Sequence, residues 1–167
     1  MDMLNAIEAA LKKQKLEVHR IPPGAANPME QLVVVPPPDA QGRPRNVWLT
    51  PLSSPEVELA PGINLLQVFV ELPFKVSASA SPDLELLILH FNNALPLGAF
   101  GLQPGGPALY RCVVMMDNDE KRSARIALEA VILASFLTDQ YGGALEAVAA
   151  GQKTSKQTPA EMKTNVR

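Results

Sequence analysis

"LELLILHFNNALPLGAFGLQ", residues Leu84–Gln103, decides how the rest of the chain is read. Its opening half has the length and leucine content of a helix, and Asn92-Asn93 ahead of Pro96 marks the end. On a helical wheel Leu84, Leu87, Ile88 and Phe91 make one stripe, which Leu95 would extend. One such stripe suffices to cover a sheet. Leu86 and Leu89 lie off it, and only Asp83, Glu85, His90 and the asparagines interrupt the apolar circumference. The surplus needs a second neighbour. "GAFGLQ" then reads as a strand, forming a hairpin with "ALYRCVVMM" through Pro104-Gly105-Gly106-Pro107.

Upstream, Ser81-Pro82 predicts the helix start, with serine as cap and proline in the first turn. Ahead of it, "INLLQVFVELPFKV" (Ile63–Val76) is the longest β-type run, Leu66, Val68, Val70 and Leu72 alternating with Gln67, Phe69 and Glu71. "LEVHRI", "QLVVV" (Gln31–Val35) and "RNVWLT" are shorter strand candidates, set apart by Pro22-Pro23, Pro36-Pro37-Pro38 and the turn-rich "DAQGRP". Asp2 can cap a first helix running to about Gln14, with Leu4, Ile7 and Leu11 on one face.

Downstream, Asp117 and Glu120 form a capping-box-like start for a long helix to about Tyr141. Gly142-Gly143 should terminate or kink it, and "ALEAVAA" could add a turn or two. The expectation is an α+β fold: helix, three or four strands, helix, two strands, helix, with one mainly antiparallel sheet packed against the helices. Residues 1–150 form the single domain. Residues 151–167 are a polar C-terminal tail without periodicity, expected to be mobile unless a neighbouring element orders it.

A chain of 167 residues can bury a core without metals or disulfides. Its formal net charge of −2 and lack of Lys/Arg runs argue against nucleic acid and anionic lipid as partners. The single cysteine, Cys112, excludes an internal disulfide framework and fits a reducing compartment. The N-terminal stretch has early acids and spaced apolar residues, unlike a secretory signal. No segment approaches the roughly 20 apolar residues of a membrane span. A cytoplasmic, soluble protein is expected.

Reactive constellations are scarce. His19 and His90 sit on different elements, so no metal ligand set converges. Cys112 and Arg111 are strand neighbours and face opposite sides, which favours an inert buried thiol. The glycines of "LGAFGLQPGG" precede neither Lys-Ser/Thr nor a helix N-terminus, and "DNDE" lacks the glycine and distal glutamate of a calcium loop. The expectation is no enzyme, no cofactor and no metal. The alternative is a small-molecule sensor or small enzyme whose pocket near the "NNALPLGAFG" turn uses Asn92, Asn93 and Tyr110.

The last helix repeats the apolar excess. Ala127, Ala130, Ala134, Leu137 and Tyr141 form one side, and Leu128, Val131, Ile132, Ser135 and Phe136 form another. Burying a Leu or Phe is worth about 1.5–3 kcal/mol, so a subunit contact is expected, most simply a two-fold homodimer. Leu86, Leu89, Ile132 and Phe136 are its candidate residues.

These pieces, "LELLILHFNNALPLGAFGLQ", "ALYRCVVMM" and "ARIALEAVILASFLTDQYGGALEAV", in the order helix, three strands, helix, two strands, helix, give a resemblance. Over about residues 3 to 150 the chain resembles the type III secretion chaperone-like family, the CesT/Tir chaperones and YbjN-type proteins. That resemblance implies a non-catalytic homodimer that binds a client or partner protein along an extended apolar surface. The candidate contacts for such a client are Val33, Val35, Val47, Leu49 and Phe69 on the sheet, with Leu4, Ile7 and Leu11 of the first helix.

Overall fold

The structure, a computed structural model, describes residues 3–25, 28–52, 59–103 and 105–158. Its elements are α1 (Met3–Lys13), β1 (Glu17–Ile21), β2 (Gln31–Val35), β3 (Val47–Leu52), β4 (Asn64–Glu71), α2 (Ser81–Asn92), β5 (Ala99–Leu102), β6 (Ala108–Met116) and α3 (Glu120–Ala149). Four strands thus precede α2, the larger of the two expected counts. All pairings in the six-stranded sheet are antiparallel, in the order β1-β2-β3-β4-β6-β5.

Alternation assigns the faces. In β4 Leu66, Val68 and Val70 are buried, while Leu65, Gln67 and Phe69 are only partly so. Register carries the inner set across the sheet: Val34, Val47, Val70 and Tyr110 fall in one row, and Leu32, Leu49, Val68 and Cys112 in the next. These residues join Leu4, Ile7 and Leu11 of α1, Leu84, Leu87 and Phe91 of α2, and Ala127, Ala134 and Leu137 of α3 in a single core. All three helices therefore lie on one side. α1 covers β1 and β2, α2 lies by β5, and α3 runs over β3, β4 and β6 between them.

The expected element ends shift in four places. The long β run stops at Glu71, because Pro73 cannot continue the ladder. Ser81 is not the cap of α2: Ala80 holds that position without a side-chain hydrogen bond, and Ser81 Oγ donates to Glu85 instead. At α3 the cap is Asp119, whose Oδ1 accepts from the Lys121 and Arg122 amides, while Asp117 braces the turn by accepting from Asp119 N–H. Gly142-Gly143 neither ends nor breaks α3, which continues to Ala149. The expected Asp2 cap lies outside the described residues.

The helix continues because its last turns are held from several sides. Ser77 N–H and Oγ both donate to the Ala149 carbonyl, and Phe91 packs on Tyr141 with ring centroids 4.7 Å apart. Beyond α3, Ser155 donates from its amide (2.7 Å) and hydroxyl to Asp83, so α2 and α3 run antiparallel. For residues 151–158 α2 is the neighbour that orders the tail, and Ser155 and Thr158 are buried there. Residues 159–167 lie outside the described residues.

The turn after α2 is fixed by close contact. Asn92 donates to the Phe100 carbonyl and accepts from its amide, and Tyr110 Oη donates to the Leu97 carbonyl at 2.8 Å. Gly98 crosses this point at φ +71°, and a Cβ there would meet Tyr110 Oη at 2.6 Å and Cys112 Cβ at 2.7 Å. Gly98→Ala combines a left-handed backbone with overpacking and is expected to cost at least about 2 kcal/mol. Urea denaturation checks this: an unchanged midpoint would mean the turn does not anchor β5.

Candidate functional site

Among the described residues the sheet's outer face has no helix on it. Register places His19, Val33, Trp48, Phe69, Arg111 and Ala99 in one row across all six strands. Leu52, Leu65 and Met115 make a second row, with Gln31, Thr50, Gln67 and Val113 between them. None of the apolar residues in these rows belongs to the core cluster. Trp48, Phe69, Leu65 and Val113 are half-buried by strand neighbours, and Met115 is 68% exposed. The arrangement is an open, mostly apolar platform flanked by the sheet's edge strands β1 and β5.

The eight expected client contacts divide. Val33, Val35 and Phe69 lie on this open face, although Val33 itself is buried. Leu4, Ile7, Leu11, Val47 and Leu49 point into the core with at most 3% exposure. That corrects their assignment: in this structure they offer no surface to a partner, because α1 seats its apolar stripe on β1, β2 and α3, and α3 lies over β3. Sequence reasoning passed over Trp48 and Met115. Trp48 sits one residue from Val47 and Leu49, and the period-two rule puts it on the face they do not occupy.

The outer side of the helix layer is a second apolar region. Leu86 and Leu89 on α2 and Ile132 and Phe136 on α3 are each 52–61% exposed. Both pairs project away from the sheet, since the stripes that face it are already filled by Leu84, Leu87, Phe91, Ala130 and Ala134. Large apolar side chains exposed this far invite a covering partner.

Between the two faces lies a polar clamp. The β2–β3 connection brings Arg43 and Arg45 against α3. Arg43 donates to both Glu146 oxygens (2.7 and 2.9 Å), to Asp39 and to the Pro73 carbonyl. Arg45, with a side chain only 4% exposed, makes a two-point ion pair with Asp139 and donates to Thr138 Oγ1. A cavity of about 230 Å³ opens beside them, lined also by Phe74 and Gly142. Most guanidinium donors here are taken by the chain's own acids, so the cluster ties a loop to a helix. The Glu146 carboxylate first, and Asp39 after it, push the Arg43 pKa further up. Burial works against the charge on Asp39, yet its bonds from Arg43 and Gln41 N–H outweigh that and hold its carboxyl below the usual range.

The alternative pocket residues are engaged internally. Asn92 joins α2 to β5, Tyr110 is fully buried with its hydroxyl on Leu97, and Asn93 is the exposed C-cap of α2. Burial pushes the Cys112 thiol up, away from a reactive thiolate. Among the described residues no three His, Cys, Asp or Glu side chains gather as a metal site, and no helix is long and apolar enough to cross a membrane. Compared with protein-family models and with curated proteins, the chain matches none.

Asp139→Asn strands the buried Arg45 charge and should cost about 3 kcal/mol, measured by chemical denaturation. Replacing both partners, Arg45→Met with Asp139→Leu, should cost clearly less. Equal losses would mean the pair acts through shape rather than charge. Asp39 is depressed in the folded state, so its contribution is complete above the unfolded carboxylate value near about 4. It is lost as pH falls through the lower folded value. Melting temperature should therefore drop between about pH 5 and 3, and less steeply in Asp39→Asn.

Proposed function

We propose that the protein is a non-catalytic, chaperone-like binding protein. It holds a partner polypeptide on the open face of its sheet and associates as a homodimer through its helix layer. The observation that carries this reading is the one-sided covering of the sheet. Trp48, Phe69, Leu65, Val113 and Met115 form an apolar platform that no described helix or strand packs upon.

Binding on such a surface has a simple physical source. An extended or amphipathic segment laid across the strands removes apolar area on both partners from water, at about 25 cal/mol per Å². The edge strands β1 and β5 add backbone pairing for a segment that runs alongside them. Aromatic side chains carry most of the energy in such contacts, which singles out the adjacent Trp48–Phe69 pair. The element order, helix, four strands, helix, two strands, helix, supports kinship with the type III secretion chaperone-like family. That kinship implies one strand fewer before the second helix, so a relative that serves something other than a secreted effector fits the fold equally well.

The test is selection from a displayed peptide library, followed by affinity measurement on the selected sequences. Trp48→Lys and Phe69→Lys should each weaken binding by at least about 30-fold, the scale of a central aromatic contact. Their circular dichroism should stay that of the wild type. Selected peptides that bind the two variants as tightly as the parent would remove the open face from consideration. A thermal shift with small metabolites and none with peptides would favour a ligand sensor instead.

A further inference from the structure

We infer that the helix layer pairs with a second copy of itself across a two-fold axis perpendicular to α3, so that two α3 helices meet antiparallel about Ile132 and Phe136. This rests on the proposal that the protein is a homodimer and adds the geometry of the contact.

The exposed stripe of α3 reads Arg125, Glu129, Ile132, Phe136, Asp139 and Gly143, all turned away from the core. Their spacing of four, three, four, three and four residues is that of a helix seam facing another helix. Charge along the helix is polar and runs against the helix dipole. Lys121, Arg122 and Arg125 crowd the first turns, where the dipole disfavours cations, while Asp139 and Glu146 lie in the C-terminal half. Within one protomer Asp139 and Glu146 hold Arg45 and Arg43, and Arg122 pairs with Asp117, whereas Arg125 bears the dipole's cost with no ion pair among the described residues.

Against a second copy the order acquires a use. A two-fold parallel to the helix sets Arg125 beside its own copy and Asp139 beside its own copy, like charge on like. A two-fold across the helix sets the basic half of one α3 on the acidic half of the other. With the centre between Ile132 and Phe136, Ile132 falls level with the second copy's phenylalanine, and Arg122, which also pairs with Asp117, level with a Glu146 that also holds Arg43. Glu129 meets the Asp139 position, acid on acid, and Arg45 beneath Asp139 offsets part of that charge.

The same symmetry brings Arg125 level with Gly143. Arg125 has no ion-pair or hydrogen-bond partner among the described residues. Gly143 is exposed, and a Cβ added there meets nothing within 4 Å. A glycine in a helix interior costs about 1 kcal/mol relative to alanine, and the protomer shows no steric need for it. The missing side chain leaves a channel through which a guanidinium crossing from the second copy reaches the outer oxygens of Asp139, 43% exposed as a side chain. A helix position lacking a side chain thus faces an arginine lacking a partner. Leu86 and Leu89 on α2, beside the C-terminal half of α3, flank the contact.

Cysteine cross-linking separates the two arrangements, because residues 125 and 143 lie roughly 27 Å apart along a helix. Arg125→Cys and Gly143→Cys are prepared separately, purified reduced, then oxidised alone and as an equimolar mixture. Both positions are exposed, so folding should survive, and circular dichroism verifies it. The expected result is a disulfide-linked pair only in the mixture, containing one copy of each variant. Self-linked pairs of either variant alone would overturn the antiparallel geometry while leaving association intact. Absence of every cross-link would overturn the contact altogether. Gly143→Arg supplies an independent readout: it fills the channel and should weaken association at least tenfold, whereas Gly143→Ala should weaken it far less.

Discussion

The fold depends on how closely α3 can approach the sheet. Its inner stripe is built largely of alanine, and Ala127, Ala130 and Ala134 lie buried over the central strands. Small side chains there let the helix backbone settle near Leu66, Val68, Val70 and Tyr110, and the larger core side chains fill the space on either side. This arrangement has a consequence for the opposite stripe. The bulky residues of α3 that do not face the sheet or its neighbouring helices, Ile132 and Phe136, are left outermost. The helix layer gains a tight seat on the sheet and an apolar roof in the same step.

The second constraint is the number of helices. Three helices cover one face of six strands, and no described helix covers the other from β1 to β5. Its rows are too apolar for a surface meant only for water, with Trp48 beside Phe69 and Leu65 beside Met115. Arg43 and Arg45 stiffen the frame by tying the β2–β3 connection to α3, which keeps β3, the strand bearing Trp48, fixed relative to the helices. A rigid platform lowers the entropy lost when a partner binds. The proposed function assigns the open face and the outer helix surface to different occupants, on opposite sides of one core.

Much of this was legible before any coordinates. The alternation of Leu66, Val68 and Val70 gave the inner face of β4, and the excess leucines of α2 pointed outward as their wheel positions required. Local chemistry alone was less able to place ends. Asp117 and Asp119 are both plausible caps, and only the direction of the chain leaving β6 selects the second. Gly142-Gly143 looked like a stop because the contacts that carry the helix past it come from Ser77 and Phe91, remote in sequence.

The clamp was invisible for the same reason, since Arg43 and Glu146 are 103 positions apart. Residue type likewise could not say which valines of adjacent strands face outward, so Val47 and Leu49 were assigned to a surface they do not reach. The apolar roof can be tested with no mutation at all. Molar mass by light scattering, followed over a dilution series at micromolar concentration, should give twice the 18.0 kDa of the single chain, falling toward it only on strong dilution. A constant single-chain mass throughout would contradict the account.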